Sequence, residues 1–283
     1  MRLRTARAFV CSQVNFSAVR ELRLDLNHPT RTESAVASSF AESDVSGNNL
    51  IDSLKPADRR AIMPHLQLWQ AAPRQVIWQA GDDIEQVYFP LDQTMASFRI
   101  TLSEGRDVET ALVGREGALG GIVSHGRLPA YARAVVQFPG RFARMPLPVL
   151  EQLKDENRRI ANLFNRYADC LLAQIFQSTA CNAAHTIEQR SAKWLISAAD
   201  RMGKPELPFT HEQLGALLGV GRSYVSRTIG RFKAEGMIQT RRSSLVITDM
   251  TGLARLACDC DDNVRRHFDE VLKGVYPPEV SAK

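Results

Sequence analysis

The chain has 283 residues, 44% of them hydrophobic and 24% charged, with 36 Lys and Arg against 31 Asp and Glu for a net charge of +5. That length has room for two domains, each with its own core, and the ordinary composition excludes a disordered or fibrous chain. The apolar runs fall short of a transmembrane helix, the stretch after Arg2, Arg4 and Arg7 is too polar for a signal peptide, and five cysteines without framework spacing argue against a disulfide-built secreted domain. A cytoplasmic protein with no membrane partner is the expectation.

Residues 1–45 are rich in Ser, Arg, Thr and Asn and are expected to form a mobile extension, with a short helix near 19–26. Residues 50–66 are helical in pattern, interrupted by Pro56 and Pro64. Strand-like runs follow at 75–78, 86–89, 94–102, 108–113 and 134–138, separated by Gly- and Asp-bearing turns. Short strands at this spacing predict a sandwich or barrel over 46–150.

After Pro148 the pattern becomes helical, and 151–183 contains neither Pro nor Gly. Ile160, Phe164, Tyr167, Leu171, Gln174 and Ser178 alternate spacings of four and three, the seam of a coiled coil. A helix of about thirty residues spans roughly 45 Å, more than one small β domain covers. A dimerisation helix is expected; the alternative is a helix packed lengthwise on its own chain. A further helix at 184–202 carries Ile187, Trp194, Leu195 and Ala198 and begins a domain at 184–283.

The most informative stretch is 210–249. Thr210 and Gln213 have capping-box spacing, and Leu214, Leu217 and Leu218 then give an amphipathic stripe. Gly219 and Gly221 bracket a turn. In the next helix, about 222–234, Val225, Ile229 and Phe232 share one face, which leaves Arg222, Ser223, Ser226, Arg227 and Gly230 on the other. Arg pairs bidentately with guanine, and Ser reaches a base or a phosphate. Gly236 ends this helix, and 237–242 with 245–249 read as a hairpin around Ser243 and Ser244, with Arg241 and Arg242 at its tip. Over 203–250, seven Lys and Arg (204, 222, 227, 231, 233, 241, 242) stand against four Asp and Glu (206, 212, 235, 249), a local excess of three where phosphate contacts are expected. A winged helix-turn-helix on double-stranded DNA is predicted, with Arg222, Ser223, Ser226 and Arg227 at base edges and Thr210, Arg231, Arg241 and Arg242 at the backbone.

The order of β-roll, long helix and winged helix-turn-helix resembles the Crp–Fnr family of bacterial transcription regulators. The matching stretches are Gln79-Ala-Gly-Asp82 with Val87-Tyr-Phe89, Glu104-Gly-Arg106, Val113-Gly-Arg-Glu-Gly117, Leu214-Gly-Ala-Leu-Leu-Gly219, Val225-Ser-Arg227 and Glu235-Gly-Met-Ile238. The resemblance implies an α+β chain with an N-terminal double-stranded, jelly-roll-like β-roll. It also implies a homodimer that binds DNA and contacts RNA polymerase. Ser223 stands where the family usually has glutamate, so the operator is expected to differ from the usual family sequence.

The effector region departs further. Cyclic-nucleotide members carry a Gly-Glu pair and then Pro-Arg-x-Ala, whereas this chain has Gly120-Gly121 and Pro129-Ala130-Tyr131-Ala132. Both polar ligands are missing, and burying a phosphate without a cation is costly; Arg127 and Arg133 are the remaining cations nearby. The expectation is a degenerate pocket at Gly120, Gly121, Ala130 and Tyr131 that does not take a cyclic nucleotide, and no cofactor. Cys11 has no neighbours for an iron–sulfur cluster. Cys258-Asp-Cys260 is tighter than the common zinc spacings, and His65, His125 and His185 are isolated, so no metal is expected. Cys170 and Cys181, eleven apart on the long helix, offer the alternative of a ligand- or redox-gated regulator sensing through the β-roll or these thiols. No nucleophile constellation, Walker loop or HExxH motif occurs, so no enzymatic activity is expected.

Overall fold

The structure, a computed structural model, describes residues 46–105, 107–242 and 244–276. The extension expected over 1–45, its helix at 19–26, Cys11 and the tip residue Ser243 lie outside them.

The described chain opens with α1 (Asn49–Asp52) and α2 (Pro56–Ile62), followed by a 3₁₀ turn at Met63–His65. The buried Asn48 caps α1 and also donates from Nδ2 to the carbonyls of Pro90 and Gly117, so this entry segment is stitched to the β domain. Seven strands follow: β1 (Gln67–Ala71), β2 (Val76–Trp78), β3 (Gln86–Pro90), β4 (Met95–Thr101), β5 (Asp107–Val113), β6 (Arg133–Phe138) and β7 (Gly140–Pro146). They form two antiparallel sheets, β1-β7-β3 and β2-β6-β4-β5, the walls of a β-roll. The sequence pattern finds all but β1 and β7. β1 follows directly on the helical turn, and β7 opens on Gly140 and carries Arg141 and Arg144, which mask its alternation.

The interior of the roll is filled by aromatic rings. Trp69 lies 5.3 Å from Tyr88 and 5.4 Å from Phe142, and Trp78 lies 6.1 Å from Tyr88 and 6.2 Å from Phe98, centroid to centroid. Rings at these separations attract by their quadrupoles beyond the area they bury.

Two helices, α3 (Leu147–Glu156) and α4 (Arg158–Ala184), carry the chain away from the roll. The expected single helix over 151–183 is broken at Asn157, which ends α3 and caps α4 through its side chain. The stripe assigned to a seam between chains is taken up inside this one. Ile160, Phe164 and Tyr167 are fully buried in a core shared with β3, β7 and α9 (Cys260–Lys273). Tyr167 donates to the Ala118 carbonyl at 3.0 Å, Leu171 packs against both β-roll cores, Gln174 donates to the Leu112 carbonyl at 2.9 Å, and Ser178 is half-buried. The strongest apolar stripe of a helix goes to its nearest large apolar surface, which here is its own roll. The face left open carries Leu172, Ile175 and Phe176, exposed by 48%, 39% and 64%.

The remainder is α5 (Ile187–Met202), β8 (Glu206–Leu207), α6 (His211–Leu218), α7 (Arg222–Ala234), β9 (Ile238–Thr240), β10 (Leu245–Ile247), α8 (Met250–Leu256) and α9. β9 and β10 pair as the expected hairpin, and β8 adds a third strand on the far edge of β10. This part shares a core with the roll: Met95, Leu112 and Phe138 are buried among Leu195, Phe209 and Leu218. No helix of the described residues is long and apolar enough to cross a membrane.

Candidate nucleic-acid interface

Helix α6 starts where the capping box predicts. The Thr210 hydroxyl accepts from the Gln213 N–H at 3.3 Å, and the Thr210 N–H donates to Gln213 Oε1 at 2.8 Å. The helix ends on Gly219 at φ +68°, a left-handed conformation that costs glycine little. Gly215 is also required, because a Cβ there would stand 2.9 Å from the Val220 carbonyl oxygen in the turn. Helix α7 buries Val225, Ile229 and Phe232 against α5 and α6 and leaves Arg222, Ser223, Tyr224, Arg227 and Gly230 exposed.

The sequence-predicted DNA residues have different surroundings. Ser223 and Arg227 point away from the core side of α7, and Arg222 stands exposed at its first turn with no ion pair among the described residues. Arg227 lies 4.5 Å above the ring of Tyr224, an exposed aromatic that the charge pattern did not single out. Ser226 falls on the flank facing α6, half-buried, with its hydroxyl 3.1 Å from His211 Nδ1. Burial, with a smaller contribution from Arg222, lowers the pKa of His211, which keeps this imidazole neutral near pH 7. Ser226 is therefore tied within the helix-turn-helix rather than aimed outward. Arg231 is held by Glu188 and Glu235, both at 2.9 Å. Arg241 pairs with Glu206 at 2.9 Å, and Glu206 also accepts from Ser244. Arg242 is exposed at the wing tip.

The four residues expected to line an effector pocket do not converge on one. Gly120, at φ +118°, lies so close to β3 that a Cβ would stand 2.6 Å from the Gln86 carbonyl oxygen, and Gly121 packs on Leu147 and Leu128. Ala130 is buried, whereas Tyr131 is 89% exposed. Glycine here admits backbone rather than ligand. Both nearby cations are engaged, Arg127 with Asp83 at 2.6 Å and Arg133 with Asp107. Of the two thiols offered for redox gating, Cys170 is buried in the roll-facing core, where desolvation pushes its thiol up to about 11, and Cys181 sits 3.7 Å from Cys258.

A helix-turn-helix with a three-stranded wing, joined to a β-roll by a long helix, defines a class of DNA-binding regulator. Residues 189–256 match the Crp-like helix-turn-helix domain. The fumarate and nitrate reduction regulatory protein of Escherichia coli K12 is 22% identical over 192 residues, covering 65% of this chain and 75% of that protein. The global nitrogen regulator of a Nostoc species is 23% identical over 189 residues, covering 63% and 84%. Among solved structures, FixK2 from Bradyrhizobium japonicum superposes with a TM-score of 0.59 at 16% identity, covering 68% of this chain and 98% of that one. The regulator CLP of Xanthomonas campestris gives 0.58 at 14% identity, covering 69% and 100%. The chain thus carries a Crp-like helix-turn-helix domain and is similar, over about two thirds of its length, to DNA-binding transcription regulators of the Crp–Fnr type.

Proposed function

We propose that this protein regulates transcription as a homodimer that presents two copies of α7 to successive major-groove half-sites. Arg222, Ser223 and Arg227 read base edges, while Thr210, Arg241 and Arg242 meet phosphates, with RNA polymerase as the protein partner. Ser226 and Arg231 keep a positioning role, since His211 and the glutamate pair already hold them. The observation that supports base reading most is the split of α7 into a buried Val225-Ile229-Phe232 face and an exposed face bearing Ser223 and Arg227. For the dimer, the support is the open α4 face: Leu172, Ile175 and Phe176 sit at i, i+3 and i+4, and a second copy of the same helix covers them by two-fold symmetry. No cyclic nucleotide enters this reading, because the interior of the roll is occupied by aromatic side chains.

Selection of bound duplexes from a random pool, followed by fluorescence polarisation on the selected site, tests it. Arg227→Ala should weaken specific binding by about 1–3 kcal/mol, roughly 5- to 150-fold, with loss of preference at one base position. A monomeric protein that ignores every duplex at low ionic strength would end the proposal.

A further inference from the structure

The fold gathers Cys181, His185, Cys258 and Cys260, whose ligand atoms all lie within 4.8 Å of one another. Cys181 and His185 stand four residues apart at the end of α4, so they share a face. Cys258 and Cys260 come from the α8–α9 connection, and Cys260 is the first residue of α9. None of these residues is used by the DNA-binding surface. Cys258 and Cys260 alone are too tightly spaced for a metal site; the fold supplies the missing half from a helix 75 positions earlier.

The distances select the occupant. With Zn–S bonds of about 2.3 Å and a Zn–N bond of about 2.0 Å, a tetrahedral angle places sulfurs about 3.8 Å apart and sulfur about 3.5 Å from nitrogen. Cys181 Sγ lies 3.7 Å from Cys258 Sγ, and Cys260 Sγ lies 3.5 Å from His185 Nδ1. A disulfide needs sulfurs at about 2.0 Å. A polynuclear iron–sulfur cluster distributes its ligating sulfurs over several irons and requires them further apart than this set stands. Three sulfurs and one imidazole are the donor set of a closed, structural zinc site.

We propose that Cys181, His185, Cys258 and Cys260 bind one tetrahedral zinc ion that clips the end of α4 to the start of α9. On binding, three S–H bonds give three Zn–S bonds and release three protons to solvent, while neutral His185 lends a nitrogen lone pair. Two positive charges against three thiolates leave one net negative charge. Lys193 Nζ, 3.5 Å from Cys181 Sγ, offsets it, and Gln177 Nε2 donates to Cys260 Sγ at 3.1 Å. The site also connects to the DNA-reading element. Arg190, which lines one cavity with Lys193 and Cys260, donates to the carbonyl of Leu218, the last residue of α6, at 2.6 Å. Since His185 and Thr186 form the junction of α4 and α5, the ion fixes the hinge between the long helix and the winged domain. A cavity of about 280 Å³ lined by Glu109, Asn182, Arg190, Lys193 and Cys260 reaches the cluster and gives an entry path.

The test is metal analysis of the full chain purified under reductant from zinc-replete cells, then chelation and titration with Co²⁺. One zinc per chain is expected, and cobalt should give intense tetrahedral ligand-field bands with thiolate charge transfer that stoichiometric zinc abolishes. Cys258→Ser and His185→Ala should lose or shift the spectrum, and Cys170→Ser should keep it. The wild-type cobalt titration decides the matter even where a ligand variant fails to fold. A chain that is metal-free and spectrally silent with cobalt overturns the proposal; so does stoichiometric iron with inorganic sulfide, or a Cys181–Cys258 disulfide in the reduced preparation.

Discussion

Arg227 rests its guanidinium on Tyr224 one turn away, so in the proposed role as a base reader part of the cost of ordering its long side chain is met before binding. Tyr224→Ala should therefore weaken operator binding, seen mainly as faster dissociation in a stopped-flow competition assay, while leaving thermal stability within about 0.5 kcal/mol as for other exposed changes. Arg241 and Arg242 belong to a different class. Their Ala variants should lower specific and non-specific affinity alike and reduce the slope of log affinity against log salt by about one for each phosphate left without its cation. Glu109 makes a pH-dependent residue on the β-roll. Its Oε2 is buried without a hydrogen-bond partner, and desolvation lifts its pKa from 4.5 to about 8 against the opposing Arg99 and Ser97. The native state then holds the proton more tightly than the unfolded chain, so stability declines as pH rises from about 4.5 through 8. Glu109→Gln should remove that decline, which urea midpoints at pH 5 and pH 8 will show.

At the scale of elements, α4 carries two apolar stripes. One, through Ile160, Phe164 and Tyr167, is closed by the roll and α9; the other, through Leu172, Ile175 and Phe176, lies on the face turned away from that cover. The heptad spacing was legible in the sequence, but which stripe met the chain's own core was not, because periodicity fixes a face and not its partner. If the proposed homodimer forms through this open face, Phe176→Asp should shift the protein from dimer to monomer in sedimentation at micromolar concentration. It should not unfold the chain, since Phe176 lies on the open face and not in the buried cores. The capping box at Thr210 and the Gly219 turn were legible to the residue, because both are set by interactions within a few positions.

For the whole molecule, the winged domain and the roll are not separated by a linker: they share Phe138, whose ring lies 6.4 Å from both Trp194 and Phe209. A common core of this kind couples the unfolding of the two parts. A second long-range tie joins α2 to Tyr276, the last of the described residues. Asp58, buried in α2, accepts from Arg159 at 2.8 and 2.9 Å, from Asn157 at 2.7 Å and from Tyr276 at 2.8 Å. The hydrogen bonds from Arg159 lead in lowering its pKa from 3.8 to about 2, against the cost of burial. The folded state releases this proton more readily than the unfolded one, so the stabilisation, about 2 kcal/mol, is present above pH 3.8 and is lost as pH falls toward 2. Asp58→Asn should be less stable by that amount in urea titrations at neutral pH, and the gap to the natural protein should close in acid.

The amino-acid sequence alone determined what depends on neighbours along the chain: the strand spacing of the roll, the caps and glycine turn of the helix-turn-helix, the inward face of α7 and the cationic residues around it. Tertiary structure decided what depends on residues far apart. It drew Ser226 to His211 and Arg231 to Glu188, gave the expected seam of α4 to the chain's own core, filled the roll with aromatic rings, and set Cys181 and His185 beside Cys258 and Cys260. Local spacing specifies which side chains share a face, because backbone geometry repeats every few residues. What meets that face is settled by packing across tens of positions, where burial and charge pairing choose among partners that sequence order does not rank.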